Sequence, residues 1–197
     1  MQKNYQTELD RIISQLDNAP NLLLHSCCAP CSSYVIKYLS KYFNITVFYF
    51  NPNITEIEEY NKRALEQRRL INEMETVHAV KYIEGEYDPA VFTQKTKGYE
   101  DCREGGDRCR ICFKLRLDET AQTAKAAGAD YFATTLTVSP HKNAEVINKI
   151  GERCATEYGV KWLSADFKKN NGYQRSIELS RQYRLYRQNY CGCKINF

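Results

Sequence analysis

The sequence predicts an α/β protein: a five-stranded parallel sheet with helices on both faces. Three observations lead there. Short apolar stretches alternate with longer amphipathic ones along the chain. Glycines stand just past two of the amphipathic stretches, where a helix can stop on a left-handed residue. A length of 197 residues with 43% hydrophobic side chains suits one domain with one core. The reading is a single α/β domain over residues 1–197, with a basic, Tyr-rich C-terminal segment over about 160–197.

An opening helix is expected over roughly Tyr5–Leu16, with Pro20 after it. Leu22-Leu23-Leu24 within Asn21–His25 gives a short buried strand, followed by a cysteine-rich turn and a helix over about Ser32–Tyr42. Ile45–Phe50 is the second strand, closed by Asn51-Pro52-Asn53. Thr55 and Glu58 have capping-box spacing, so a long helix is expected from there to about Met74. Val77–Ile83 is the third strand, and the polar, acidic stretch from Gly85 to Gly106 is expected to be irregular, at most partly helical. A helix begins near Cys109 and stops at Gly128. Tyr131–Leu136 is the fourth strand, Ala144–Tyr158 a helix stopped by Gly159, Val160–Leu163 the fifth strand, and about Tyr173–Tyr186 the last helix.

Nine cysteines stand in the chain, eight of them in three clusters: Cys27, Cys28 and Cys31; Cys102, Cys109 and Cys112; Cys191 and Cys193. Clustered thiols without a secretory signal point to metal binding or thiol chemistry rather than to a disulfide scaffold. The N-terminus lacks the apolar run of a signal peptide, and no stretch approaches the ~20 apolar residues that cross a bilayer. A cytoplasmic location, without a membrane partner, is therefore expected. In an open parallel sheet the working site lies beyond the carboxyl ends of the strands. Cys27 and Cys28 fall just past the first strand, and Cys109 and Cys112 open the helix leading into the fourth.

Cys109 and Cys112 share one face of a helix start, where the helix dipole favours thiolates. With the Cys28-x-x-Cys31 half-site they can close a four-thiolate site, for zinc or for an iron–sulfur cluster. Zinc would most naturally take Cys28, Cys31, Cys109 and Cys112. A cluster can use the adjacent Cys27 and Cys28 with Cys109 and Cys112, leaving Cys31 beside it. Cys191-Gly192-Cys193 would close a strained disulfide, with Gly192 tolerating the backbone this demands, and so suits a redox relay, or else the two are free thiols near the C-terminus. Cys102, between acidic neighbours, gains no cationic help towards a thiolate. Cys154 reads as a small core hydrophobe, and His25 as a packed, hydrogen-bonded core residue.

The net charge of +4 is uneven: residues 160–197 carry +6 and the rest −2. Tyr173, Tyr183, Tyr186, Tyr190 and Phe197 interleave with those cations, a pattern that suits RNA, or else a solvated helix face over packed tyrosines. Ser139 to Asn143, with His141 and Lys142, precede a helix and form either an anion site or a well-capped loop. No Gly-rich phosphate loop follows the first strand, so nucleotide use has no motif support.

Together these blocks resemble the QueH-type epoxyqueuosine reductases. The match comprises His25-Ser26-Cys27-Cys28-Ala29-Pro30-Cys31; Asp107-Arg108-Cys109-x-x-Cys112 with Arg116-Leu117; Thr134 through Lys142; and Ser176–Ser180 with Tyr186-Arg187-Gln188-x-Tyr190-Cys191-Gly192-Cys193. The resemblance implies an adenine-nucleotide α-hydrolase-like, Rossmann-like fold. It implies reductive deoxygenation of epoxyqueuosine to queuosine at the tRNA wobble position, without cobalamin and with an electron donor the sequence does not identify. It places a [4Fe–4S] cluster on Cys27, Cys28, Cys109 and Cys112 and makes Cys191 and Cys193 a redox-active disulfide. As Lewis acid on the epoxide oxygen we expect either an iron with an open position or an additional iron held partly by Cys31 and by Asp101 or Asp107, with tRNA contacts from His141, Lys142, Arg175, Arg181, Arg184 and Arg187.

Overall fold

A computed structural model describes residues 3–188 and 190–193; Phe197, counted above with the tail aromatics, lies outside them. Five parallel strands form one sheet in the order β3-β2-β1-β4-β5: β1 (Asn21–Ser26), β2 (Asn44–Tyr49), β3 (Val80–Glu84), β4 (Tyr131–Thr134) and β5 (Lys161–Trp162). The helices are α1 (Tyr5–Ser14), α2 (Ala29–Leu39), α3 (Ile57–Glu73), α4 (Pro89–Lys95), α5 (Asp107–Ala126), α6 (Ala144–Tyr158) and α7 (Gly172–Gln182).

The leucine run of β1 shows how the two layers arise. Successive strand side chains point to opposite faces. Leu22 and Leu24 enter a core with Leu9 of α1, Ile36 and Leu39 of α2 and Leu70 of α3. Leu23 enters the other core, with Phe113 and Leu117 of α5 and Ile147 of α6. Each such side chain, removed from water, contributes about 1.5–3 kcal/mol. Cys154 sits in the second core at 2% exposure, its thiol donating to Asp118 Oδ1 at 3.2 Å.

Several boundaries differ from the sequence reading, each for a local reason. The helix after β2 starts at Ile57 with Glu56 as its N-cap, and Thr55 forms no capping box. The Tyr87 hydroxyl lies 3.0 and 3.1 Å from the carbonyl oxygens of Ile54 and Thr55, holding that segment outside the helix. Within the stretch expected to be irregular, Asp88 accepts from the Ala90 N–H at 2.9 Å and Pro89 opens α4. Strand β4 ends at Thr134, whose hydroxyl accepts from the Leu136 N–H, and a 3-10 turn covers Thr135–Val138. Helix α7 stops at Gln182, and Arg184 takes a left-handed φ of 50°.

The last described residues form a strap across α3. Arg69 Nη2 donates to the carbonyls of Tyr183 (3.0 Å) and Arg184 (3.4 Å). Glu66 accepts from the Tyr186 N–H at 2.6 Å, and the Tyr186 hydroxyl meets Glu59 at 3.2 Å. Lys62 lies 3.5 Å from the Tyr186 ring centroid, and Arg63 5.3 Å from that of Tyr190. The tail tyrosines are thus engaged with the protein's own surface.

Candidate active site

The sheet's switch point lies between β1 and β4, and Cys27 and Thr135 follow those strands directly. The Cys27 N–H donates to Thr135 Oγ1 at 3.3 Å, and the Cys27 sulfur lies 3.5 Å from the same hydroxyl. Ser26 and Ser32 both donate to Gln67 Oε1 of α3, at 2.7 and 2.8 Å, and Asn51 Nδ2 donates to the Ser26 carbonyl at 2.9 Å. The cysteine segment is therefore clamped by α3 and by the loops after β2 and β4. Cys28 is the N-cap of α2, and Cys31 stands in its first turn, where the sequence suggested a turn before the helix.

Among the described residues, the sulfurs of Cys27, Cys28 and Cys31 all lie within 4.8 Å of one another, and this group can hold a metal ion. A cavity of about 510 Å³ opens on them, lined also by Arg63, Arg116, Lys142 and Cys191. A second, about 20 Å³, is lined by Cys109, Cys112, Cys191 and Cys193. Glu104, Arg116, His141, Lys142 and Cys191 line both cavities, so the two thiol sets share a wall. All nine cysteines are unbridged, Cys191 and Cys193 among them.

Charge is distributed unevenly among these sulfurs. Hydrogen bonds from Cys28 and Cys31, reinforced by Lys142 and Arg116, hold Cys27 well below the usual thiol range. Cys28, bonded to Cys27 and buried, is pushed up to about 11. Cys193 and Lys142 bring Cys191 down to about 5 against the cost of its burial, and Cys193 is raised in turn. Burial raises Cys109 and pushes Cys112 up to about 11, opposite to the thiolate-favouring direction expected from their position.

Arg116, 3% exposed, was passed over as a site residue in the sequence reading although it follows Cys112 by one helical turn. Its Nε donates to His25 Nε2 at 3.2 Å, its Nη2 to Asn51 Oδ1 at 2.5 Å, and its Nη1 faces Cys112 Sγ at 3.9 Å. His25 Nδ1 lies 2.7 Å from Thr134 Oγ1, and burial together with Arg116 lowers the ring's pKa to about 3. In the larger cavity's wall, Asn53 Oδ1, Arg63 Nη2 and Gln188 Oε1 have no hydrogen-bond partner among the described residues. Orphaned buried polar atoms cost about 1–3 kcal/mol each, so such a wall suits a polar ligand that completes it.

Other expected residues fall elsewhere. Asp101 and Asp107 are exposed and line neither cavity; Glu104 is the acidic residue that does. The first amides of α6 are taken by Asn143, which accepts from Glu145 and Val146 at 2.9 and 3.2 Å, so they are not open to an anion. Lys142 faces the thiols instead. Arg187 lines the larger cavity beside Tyr173, whereas Arg175 pairs with Glu178, and Arg175, Arg181 and Arg184 are exposed on the outer surface. Gly192 is required by packing: a Cβ there would lie 2.5 Å from Ile54 Cγ1. No helix among the described residues is long and apolar enough to cross a membrane.

The family model for epoxyqueuosine reductase QueH matches residues 22–196. Proteins named epoxyqueuosine reductase QueH are 46% identical in Staphylococcus epidermidis, covering 96% of this chain and 83% of the relative. The one in Streptococcus pyogenes is 44% identical over 98% of this chain and 79% of its own length. A third, from Thermotoga maritima, is 36% identical over 87% of this chain and 88% of its own. With the matched region running from β1 to beyond the strap cysteines, the chain belongs to the epoxyqueuosine reductase QueH family.

Proposed function

We propose that this protein reduces epoxyqueuosine to queuosine in tRNA, holding a [4Fe–4S] cluster on Cys27, Cys28, Cys109 and Cys112. The observation that carries the reading is the meeting of two thiol sets and a third, strap-borne pair at adjoining cavities on the sheet's switch point. The donor set fits such a group: soft sulfur ligands stand beside buried Arg116 and half-buried Lys142, whose charge offsets thiolates. When bound, the cluster would supply electrons singly. Zinc on Cys28, Cys31, Cys109 and Cys112 remains the competing occupant on donor type alone.

Deoxygenation of an epoxide to an alkene consumes two electrons and two protons and releases water. Oxidation of the Cys191 thiolate and the Cys193 thiol to a disulfide releases two electrons and one proton, so the second proton is drawn from solvent, and an external reductant must restore the pair. The low Cys191 and high Cys193 place the nucleophilic sulfur facing Lys142 and the retained proton on its neighbour. Cys31 and Glu104, both lining the larger cavity, are the pair that would hold an additional iron. His141, Lys142 and Arg187 would contact the RNA at the cavity mouth, with Arg175, Arg181 and Arg184 on the flanking backbone. The modified base would enter unstacked.

The test is anaerobic turnover of tRNA carrying epoxyqueuosine, with iron, sulfide and zinc measured on the same sample. Formation of queuosine by a protein with iron and sulfide is the expected result. A colourless zinc protein that binds tRNA without converting it would instead be an RNA-binding module.

A further inference from the structure

A guanidinium buried away from water is costly unless negative charge lies beside it. The other buried arginine of the larger cavity, Arg63, has such a partner: its Nε bonds Glu59 at 2.7 Å. Arg116 is as deeply buried but bonds no carboxylate among the described residues. Its two close acceptors, the Asn51 amide oxygen and His25 Nε2, carry no charge when they accept. The Asn51 amide is itself locked, its nitrogen donating to the Ser26 carbonyl at 2.9 Å. The third nitrogen of the guanidinium points to Cys112 Sγ, and the other neighbours that favour its charge are Cys27 and Cys191.

We infer that Arg116 is an electrostatic positioning residue for the metal centre: its fixed charge is balanced by the sulfur ligands on both sides of it, and it raises the reduction potential of the group they hold. The inference rests on the cluster reading above. A positive charge beside the thiolates favours the reduced, more negative state of whatever they bind, because the added electron is attracted to it in a site shielded from water. Arg116 touches one ligand from α5 directly and, through Asn51 and the Ser26 carbonyl, the segment that carries Cys27. It therefore biases both halves of the site, although no substrate atom need meet it.

Two substitutions test the charge separately from the packing. Arg116→Gln removes the charge. Asn51→Asp keeps Arg116 in place and puts a carboxylate on the atom that bonds it, at the expense of the bond to Ser26. Both are purified anaerobically, with iron and sulfide content, thermal midpoint and the cluster's reduction midpoint measured by spectroelectrochemical titration. The reduction midpoints of both should move to more negative potential, and that of Arg116→Lys, a third variant that keeps the charge, should stay nearest the parent. The thermal midpoints should not follow that order, because Asn51→Asp supplies an ion pair that Arg116→Gln lacks. Unchanged reduction midpoints at full iron and sulfide content overturn the inference alone. Should Arg116→Gln fail to assemble, Asn51→Asp decides by the same criterion. A parent protein that takes up no iron and sulfide overturns the cluster reading and this inference with it.

Discussion

Cys27, Cys28 and Cys31 stand between a strand and the start of a helix, on a segment whose hydroxyls, carbonyl and amide are bonded to Gln67, Asn51 and Thr135 respectively. Cys191 and Cys193 ride instead on a strap beyond α7, outside any helix or strand, tied to α3 through Glu59, Glu66 and Arg69. The first arrangement holds donor atoms still, as a metal site requires. The second would let the pair proposed as redox-active change its bonding without disturbing the sheet. One site thus combines thiols on a clamped segment with thiols on a strap outside the sheet.

The sharpest way to break that contrast is to remove thiols from each side. Cys28→Ser and Cys112→Ser should lose iron and sulfide and cut turnover by at least about 100-fold. Cys193→Ser should keep the metal content and the visible spectrum while turnover slows. Loss of the spectrum in Cys193→Ser would move the strap into the ligand set. A smaller effect is expected from loosening the strap: Glu66→Ala, which frees the Tyr186 amide and one partner of Arg69, should hasten proteolysis between residues 183 and 193 and lower turnover about tenfold, with metal content unchanged. Equal cleavage rates would show that other contacts anchor the strap.

Weaker still is the expected effect of surface charge. Reversing Arg181 and Arg184 together should flatten the salt dependence of tRNA binding by about two in log–log slope. An unchanged slope removes that surface from the RNA path. The smallest change is in reactivity. With Cys191 lowered to about 5, its alkylation rate in metal-free protein should rise with pH and level off above that value, because the thiolate is the nucleophile. In Cys193→Ala the rise should shift to higher pH, since the neighbouring thiol that stabilises the anion is gone.

The order of strands and helices was legible because Leu22-Leu23-Leu24 and the glycines after α5 and α6 are local signals of burial and helix termination. The cysteine positions were legible because they sit at strand ends. Asp88-Pro89, an N-cap before a first-turn proline, was also a readable start for α4 and was missed among polar neighbours. The parts of the site that escaped are long-range. Gln67 meets Ser26 across 41 positions and Arg116 meets His25 across 91, and no spacing rule encodes such meetings. The acidic residue of the cavity escaped for the opposite reason: Asp101, Glu104 and Asp107 are too close in sequence for anything but the fold to choose Glu104.

The split of the framework thiols between the start of α2 and the start of α5 has a consequence for folding. A group bound by both Cys28 and Cys109 would close a chain loop of about 80 residues, and a covalent cross-link of that span restricts the unfolded chain by roughly 4–5 kcal/mol. Helices α3 and α4 and strands β2 and β3 all lie inside that loop. Metal uptake would then staple one half of the sheet to the other, so the chain's resistance to unfolding would report its cargo.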